Sequence, residues 1–320
     1  VFFCVVLIIV YSRSWYNLCV FLPVLVLERF SMSKVAVVTD SCASLPESLI
    51  KELNIHLVAY YIHRGQEVLR DLVTIQRDEF LRWLPTAKTL PTTASPGPGD
   101  YLTMYQKIVE EEGADEIISI HMTSKGSGAY QAAMNAQSMA QESLPNVRIN
   151  VIDSLNVSLC QGWMVIEAAR SALKDFSLDE ISARVMQMIP VARMLQTADT
   201  LKYLYMGGRI GQAQRLVGTL LNIKPIIGME DGVIIALGVT RSTSRAYQIM
   251  ADMIENAVGE MGKIKVAFVH AGAPEEIEKL KALIESKFIC VESLVAELSP
   301  ALAVHSGPGT TGLCYYPVQG

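Results

Sequence analysis

Glu116-Ile-Ile-Ser-Ile-His121, followed by Met122-Thr-Ser-Lys-Gly-Ser-Gly-Ala-Tyr130 and then by Gln131 onward, is the stretch that decides the fold. Its first six residues form a short apolar run, which reads as a buried strand. The glycine- and hydroxyl-rich segment is a loop, and a helix is predicted over Ser127–Glu142. Val147–Ile152 is the next strand, ending in Asp153-Ser154. Working back toward the N-terminus, Val35-Ala-Val-Val-Thr39 is a buried strand followed by Asp40-Ser41 and a helix around Leu45–Leu53. Ile55–Ile62 reads as a second strand and Arg77–Leu84 as a short amphipathic helix. Thr86–Gly99, with Pro91, Pro96 and Pro98, is predicted to be loop, and Gly99–Glu112 helix. Downstream, Asn156–Leu173 carries apolar residues at helical spacing. Strands alternating with helices of this length predict an α/β fold: a mainly parallel sheet with helices on both faces.

The rhythm changes in the second half. Val191–Ala198 reads as a strand, and Leu201–Tyr205 as a short helix ending at Gly207-Gly208. Ile223–Gly228 and Val233–Val239 flank Met229-Glu-Asp-Gly232, a hairpin signal because Asp-Gly tolerates the positive φ of a tight turn. A helix over Ser244–Gly259, a strand over Lys265–His270, a helix over Pro274–Lys287 and a strand over Phe288–Val295 follow. This predicts a mixed sheet with helices on one face, in a C-terminal domain of residues 186–320 beside an N-terminal domain of residues 32–185.

Residues 1–31 differ from the rest. Two apolar runs flank a polar break at Tyr11–Asn17, and Pro23 interrupts the second. Each run is about half of the roughly 20 residues that a spanning helix needs, and a signal peptide's ordered regions are missing. The segment reads as an upstream extension outside the working protein; a membrane anchor is the rival. The 320 residues carry a net charge of −5 with no basic cluster, which argues against a nucleic-acid partner. Six scattered cysteines without a C-x-x-C pair predict neither disulfides nor a zinc site, and instead buried cytosolic thiols. No metal and no cofactor is expected.

Three loops gather small hydroxyl residues and glycine: Pro91–Asp100, His121–Tyr130 and His305–Gly312. Ligands of open α/β sheets sit beyond the carboxyl ends of strands, where helix N-termini and hydroxyls favour an anion. Ser41, Ser127 and Ser154 also suit plain helix capping, and Asp40-Ser41 and Asp153-Ser154 suit either role. Gly307-x-Gly309-x-x-Gly312 matches the dinucleotide fingerprint formally, but only eight residues remain to build the helix it must open. His305 precedes a Gly-Pro-Gly turn, as a ligand contact or a structural histidine would. Arg209, after Gly207-Gly208, is suited to bind phosphate or carboxylate or to stand solvated.

In this order the landmarks resemble the DegV family of fatty-acid-binding proteins. The matching stretches are Val38-Thr-Asp-Ser41, Thr93-Ala-Ser-Pro-Gly-Pro-Gly-Asp-Tyr101 and Ser124-Lys-Gly-Ser-Gly-Ala-Tyr-Gln131. Asp153-Ser154, Leu201-Lys-Tyr-Leu-Tyr-Met-Gly-Gly-Arg-Ile210 and His305-Ser-Gly-Pro-Gly309 complete them. The resemblance implies a cytoplasmic, non-catalytic carrier with a long-chain fatty acid buried between or within two domains and its carboxylate at the interdomain cleft. Thr93, Ser127 and His305 would hold its carboxylate. It further implies presentation to a soluble fatty acid kinase that makes the acyl phosphate, with Arg209 in that exchange, and no stable membrane insertion. This chain departs from the family at Ala94-Ser95, in place of a Ser-Gln pair, and at Met206, in place of a frequent Lys. Gly126 and Ala129 stand for Leu and Thr in the Leu-Ser-Gly-Thr-Tyr form. The alternative is an acyl or phosphoryl transfer enzyme using Ser127 and His305.

Overall fold

The computed structural model describes residues 35–216 and 223–318; the expected extension over residues 1–31 lies outside them. The described residues fall in one compact unit. Its first seven strands are β1 (Val35–Asp40), β2 (Ile55–Val58), β3 (Tyr61–Arg64), β4 (Glu67–Arg70), β5 (Thr92–Ala94), β6 (Glu116–His121) and β7 (Arg148–Asp153). Four of them make an all-parallel sheet in the order β2-β1-β6-β7. Every residue of β1 and β6 is buried, the pattern of strands covered on both faces. The helices Pro98–Glu112, Ala129–Ser143, Leu159–Ala172 and Leu178–Met188 pack on this sheet. A small antiparallel sheet, β4-β3-β5, stands beside it.

The remaining strands are β8 (Arg193–Thr197), β9 (Lys224–Glu230), β10 (Val233–Thr240), β11 (Lys263–His270), β12 (Ile289–Glu297) and β13 (Thr311–Pro317). They form one mixed sheet, β10-β9-β8-β13-β11-β12, in which only β11 and β12 run parallel. Alternation along β11 separates two cores. Val266 and Phe268 pack with the helices Thr243–Val258 and Pro274–Lys287, whereas Ala267 and Val269 point to the core shared with the first sheet. Helix Leu159–Ala172 closes that second face: Trp163 Nε1 donates to the Cys314 carbonyl at 3.2 Å, and Arg170 makes a bidentate pair with Glu292. The α/β fold with a parallel and a mixed sheet therefore matches the pattern predicted from the sequence.

Several local expectations are corrected. The predicted strand Ile55–Ile62 is two strands in different sheets, because at Tyr60 the backbone leaves the ladder. Its N–H donates to Ser41 Oγ and its carbonyl accepts from Asp71 N–H. The predicted loop Thr86–Gly99 contains β5, which is short enough to fit between Pro91 and Pro96 and pairs with β3. His305 lies not in a loop but in the last turn of a helix, Pro300–Ser306, with Ser299 at its N-cap. Gly312 belongs to β13, a central strand of the second sheet, so the formal dinucleotide match opens no helix.

Candidate functional site

Thr93 is the middle residue of β5, opposite Ile62 of β3. Its neighbours Thr92 and Ala94 are exposed and Thr93 is half-buried, as alternation along a strand requires. Its Oγ1 lies 2.8 Å from His305 Nε2, across 212 residues of chain. The helix bearing His305 is tethered at its start, where Ser299 Oγ accepts from Leu302 N–H and Asp71 Oδ1 accepts from Ala301 N–H. Burial, with help from the positive Arg209 nearby, pulls the His305 pKa down to about 4. The imidazole is thus neutral at pH 7, and its buried Nδ1 has no hydrogen-bond partner.

Ser127 lies in the turn before helix Ala129–Ser143. Its Oγ accepts from Ala129 N–H at 3.3 Å, so it serves the helix start, and it also lies 2.5 Å from the Tyr60 hydroxyl. Arg209 is exposed. Its Nη1 donates to the Gly207 carbonyl at 2.8 Å and its Nε to the Gly126 carbonyl at 3.4 Å, which joins the Gly-Gly turn to the Ser-Gly turn.

All four candidates line one cavity of about 640 Å3. Its walls carry Met122, Val157, Met194, Leu204, Ile234 and Leu302 among other apolar groups, and its polar lining includes Thr93, Ser95, Ser127, Gln196 and His305. That combination, apolar walls with several polar groups among them, is the usual form of a small-molecule site. The three hydroxyl/glycine segments thus meet around one space.

Both strand-end Asp-Ser pairs hold these walls. Asp40, fully buried, accepts from Cys42 N–H at 3.0 Å, from Met122 N–H at 3.1 Å and lies 3.1 Å from His121 Nδ1. Asp153 accepts from Ser124 N–H and Leu155 N–H, fixing the Ser-Gly turn at its other end. Ser41 and Ser154 hold turns and cap no long helix. The β9–β10 hairpin covers one side of the cavity. Asp231 and Gly232 both have positive φ, the requirement of a tight two-residue turn, and Thr123 Oγ1 donates to the Gly232 carbonyl at 2.9 Å.

Tyr60 is the residue that sequence reasoning missed. It belongs to no motif, and the only signal was its place at the end of a strand-like run. A nucleophile–base reading of Ser127 and His305 is not matched by the hydrogen bonds: Ser127 pairs with Tyr60 and His305 with Thr93. Among the described residues no group of three or more His, Cys, Asp or Glu is placed to hold a metal. No helix among them is long and apolar enough to cross a membrane.

Residues 34–318 match the model of the DegV family, described as an uncharacterised protein family. A DegV domain-containing protein of Caldanaerobacter subterraneus is 32% identical over 284 residues, which are 89% of this chain and 99% of the relative. A DegV family protein from Thermus thermophilus, described for its fatty acid binding, superposes with a TM-score of 0.82 at 31% identity, covering 89% of this chain and 100% of the other. A stearic acid-binding protein from Eubacterium ventriosum superposes with a TM-score of 0.78 at 26% identity, covering 88% of this chain and 98% of its own.

Proposed function

This chain belongs to the DegV family, and from that premise we propose that its cavity holds one long-chain fatty acid, with the carboxylate at Thr93, Ser127 and His305. The observation that carries the reading is the contact of Thr93 with His305 at 2.8 Å on the wall of a cavity of about 640 Å3. Residues so far apart in sequence meet there, and apolar groups line the space beyond them. Each methylene buried is worth about 0.8 kcal/mol, so the acyl chain supplies most of the affinity and the polar groups fix its end. A neutral imidazole and two hydroxyls suit one carboxylate, since they donate without burying a second charge.

Solvent extraction of the purified protein followed by mass spectrometry is expected to yield a long-chain fatty acid in stoichiometric amount. A clean extract from protein purified out of lipid-replete cells would overturn the proposal. Thr93→Ala and Ser127→Ala are each expected to weaken fatty acid retention about tenfold, the scale of one hydrogen bond to a charged group, while leaving the fold intact by circular dichroism.

The lipid is presented to a soluble fatty acid kinase, which phosphorylates the carboxylate. Arg209 supports this step: it is exposed at the cavity rim, and its fork of N–H donors matches phosphate oxygens. Arg209→Ala is expected to retain lipid at the wild-type level and to lose acyl-phosphate formation when kinase and ATP are added. Equal loss of retention and transfer would assign Arg209 to the loop scaffold instead.

A further inference from the structure

Tyr60 is 4% exposed, yet its side chain lies on the cavity wall. Its backbone is held from both sides. The N–H donates to Ser41 Oγ at 3.1 Å and the carbonyl accepts from Asp71 N–H at 2.9 Å. Asp71 in turn accepts from Ala301 N–H in the helix that carries His305. Tyr60 is therefore fixed in the same frame as the histidine, and its ring has little freedom to leave Ser127.

The 2.5 Å contact between the two hydroxyls has a definite proton inventory. A serine hydroxyl offers one O–H and two lone pairs. One lone pair of Ser127 accepts from Ala129 N–H, which leaves the other open to the Tyr60 O–H at 2.5 Å. The serine's own hydrogen is then left to point into the cavity. The phenol is the stronger acid of the two hydroxyls and the natural donor. Burial raises the Tyr60 pKa well above its ordinary value, so the proton stays on the phenol. Of the groups that act on that phenol, the Cys42 thiol is also kept protonated by burial, and a neutral thiol is a weak acceptor.

Taking the fatty-acid reading as its premise, we infer that Tyr60 is a positioning residue of the head-group site: its hydroxyl donates to Ser127 Oγ and turns the Ser127 O–H toward the ligand carboxylate. The pair acts as a two-step donor chain ending on the ligand, and such chains strengthen each successive bond. The chain favours a charged head group over a neutral one, because a hydrogen bond to an anion gains more from a polarised donor.

The test uses the delipidated full chain and two probes of equal chain length, palmitate and hexadecanol, with affinities read by calorimetry. Tyr60→Phe is expected to weaken palmitate about tenfold and to leave hexadecanol nearly unchanged. Ser127→Ala should weaken palmitate to a similar degree, and the double variant should be no worse than either single one, since all three break the same chain. Loss of both probes together in Tyr60→Phe, or additive losses in the double variant, would overturn the inference by making Tyr60 a packing residue. Unchanged palmitate affinity in Tyr60→Phe would overturn it as well. Failure of the unaltered protein to bind palmitate at all would instead strike the fatty-acid reading on which it stands.

Discussion

Asp40→Ala is expected to cost about 3–5 kcal/mol of unfolding free energy, the scale of removing one member of a buried hydrogen-bonded polar pair. Asp40 ends β1 with no exposed surface. Its carboxylate receives two backbone N–H groups, from Cys42 and Met122, and stands against His121 Nδ1. His121 is equally buried, and its Nε2 lies 2.7 Å from Ser119 Oγ, which accepts from the Tyr105 hydroxyl. An alanine would strand two donors and one end of that chain of side chains at a fully buried position. A urea titration with an unchanged slope and a lowered midpoint would report the loss. Asp40→Asn keeps an acceptor oxygen and should lose less. A loss below about 1 kcal/mol for the alanine variant, the worth of a single ordinary hydrogen bond, would mean that the walls relax around the gap. Cys42 and Met122 line the cavity, so fatty acid retention should fall in step with stability.

The parts of this molecule that are legible in its sequence are those fixed by local pattern. Glu116–His121 and Pro274–Lys287 are legible in the sequence with their observed bounds, because their structure follows from local pattern: a short apolar run between turn signals, and a helical period opened by proline. β13 was not read. Its seven residues follow a glycine-rich turn, and their strand character comes from ladders to β8 and β11 on either side, both remote in sequence. β5 was hidden for a related reason, since two prolines bracket three residues whose partner lies thirty positions earlier. At the site, Thr93, Ser127 and His305 were each visible as hydroxyl or histidine in glycine-rich surroundings, and the resemblance to the DegV family grouped them. Their meeting around one cavity was a tertiary fact. Tyr60 had no such cue. Its place depends on Ser41 Oγ taking its N–H out of the strand ladder, which no spacing rule encodes.

Gly207→Ala is expected to lower fatty acid retention at least tenfold, the loss of one charge-assisted hydrogen bond or more, while the fold survives. Gly207 closes helix Lys202–Met206 with φ −76 and ψ −6, a conformation that alanine adopts freely. The substitution therefore brings no backbone strain, and its whole effect is steric. A Cβ at this position would collide with His305 Nδ1 and approach Cε1 and the Tyr203 carbonyl at 3.0 Å. The carbonyl belongs to the helix's own hydrogen bonding and cannot yield, so the imidazole must. Moving the ring breaks its contact with Thr93 and withdraws Nε2 from the carboxylate position. Overpacking of this kind costs roughly 1–3 kcal/mol, a tolerable loss in a chain of this size. Gly208→Ala supplies the opposite pattern. Gly208 has φ +69, where a side chain costs about 1–2 kcal/mol, but a Cβ there meets nothing within 4 Å. It should lower the unfolding midpoint and keep the lipid. Two adjacent glycines would thus separate the ligand's needs from the fold's. Equal lipid retention in the two variants would mean that His305 moves without consequence for the head group, and would remove it from the site.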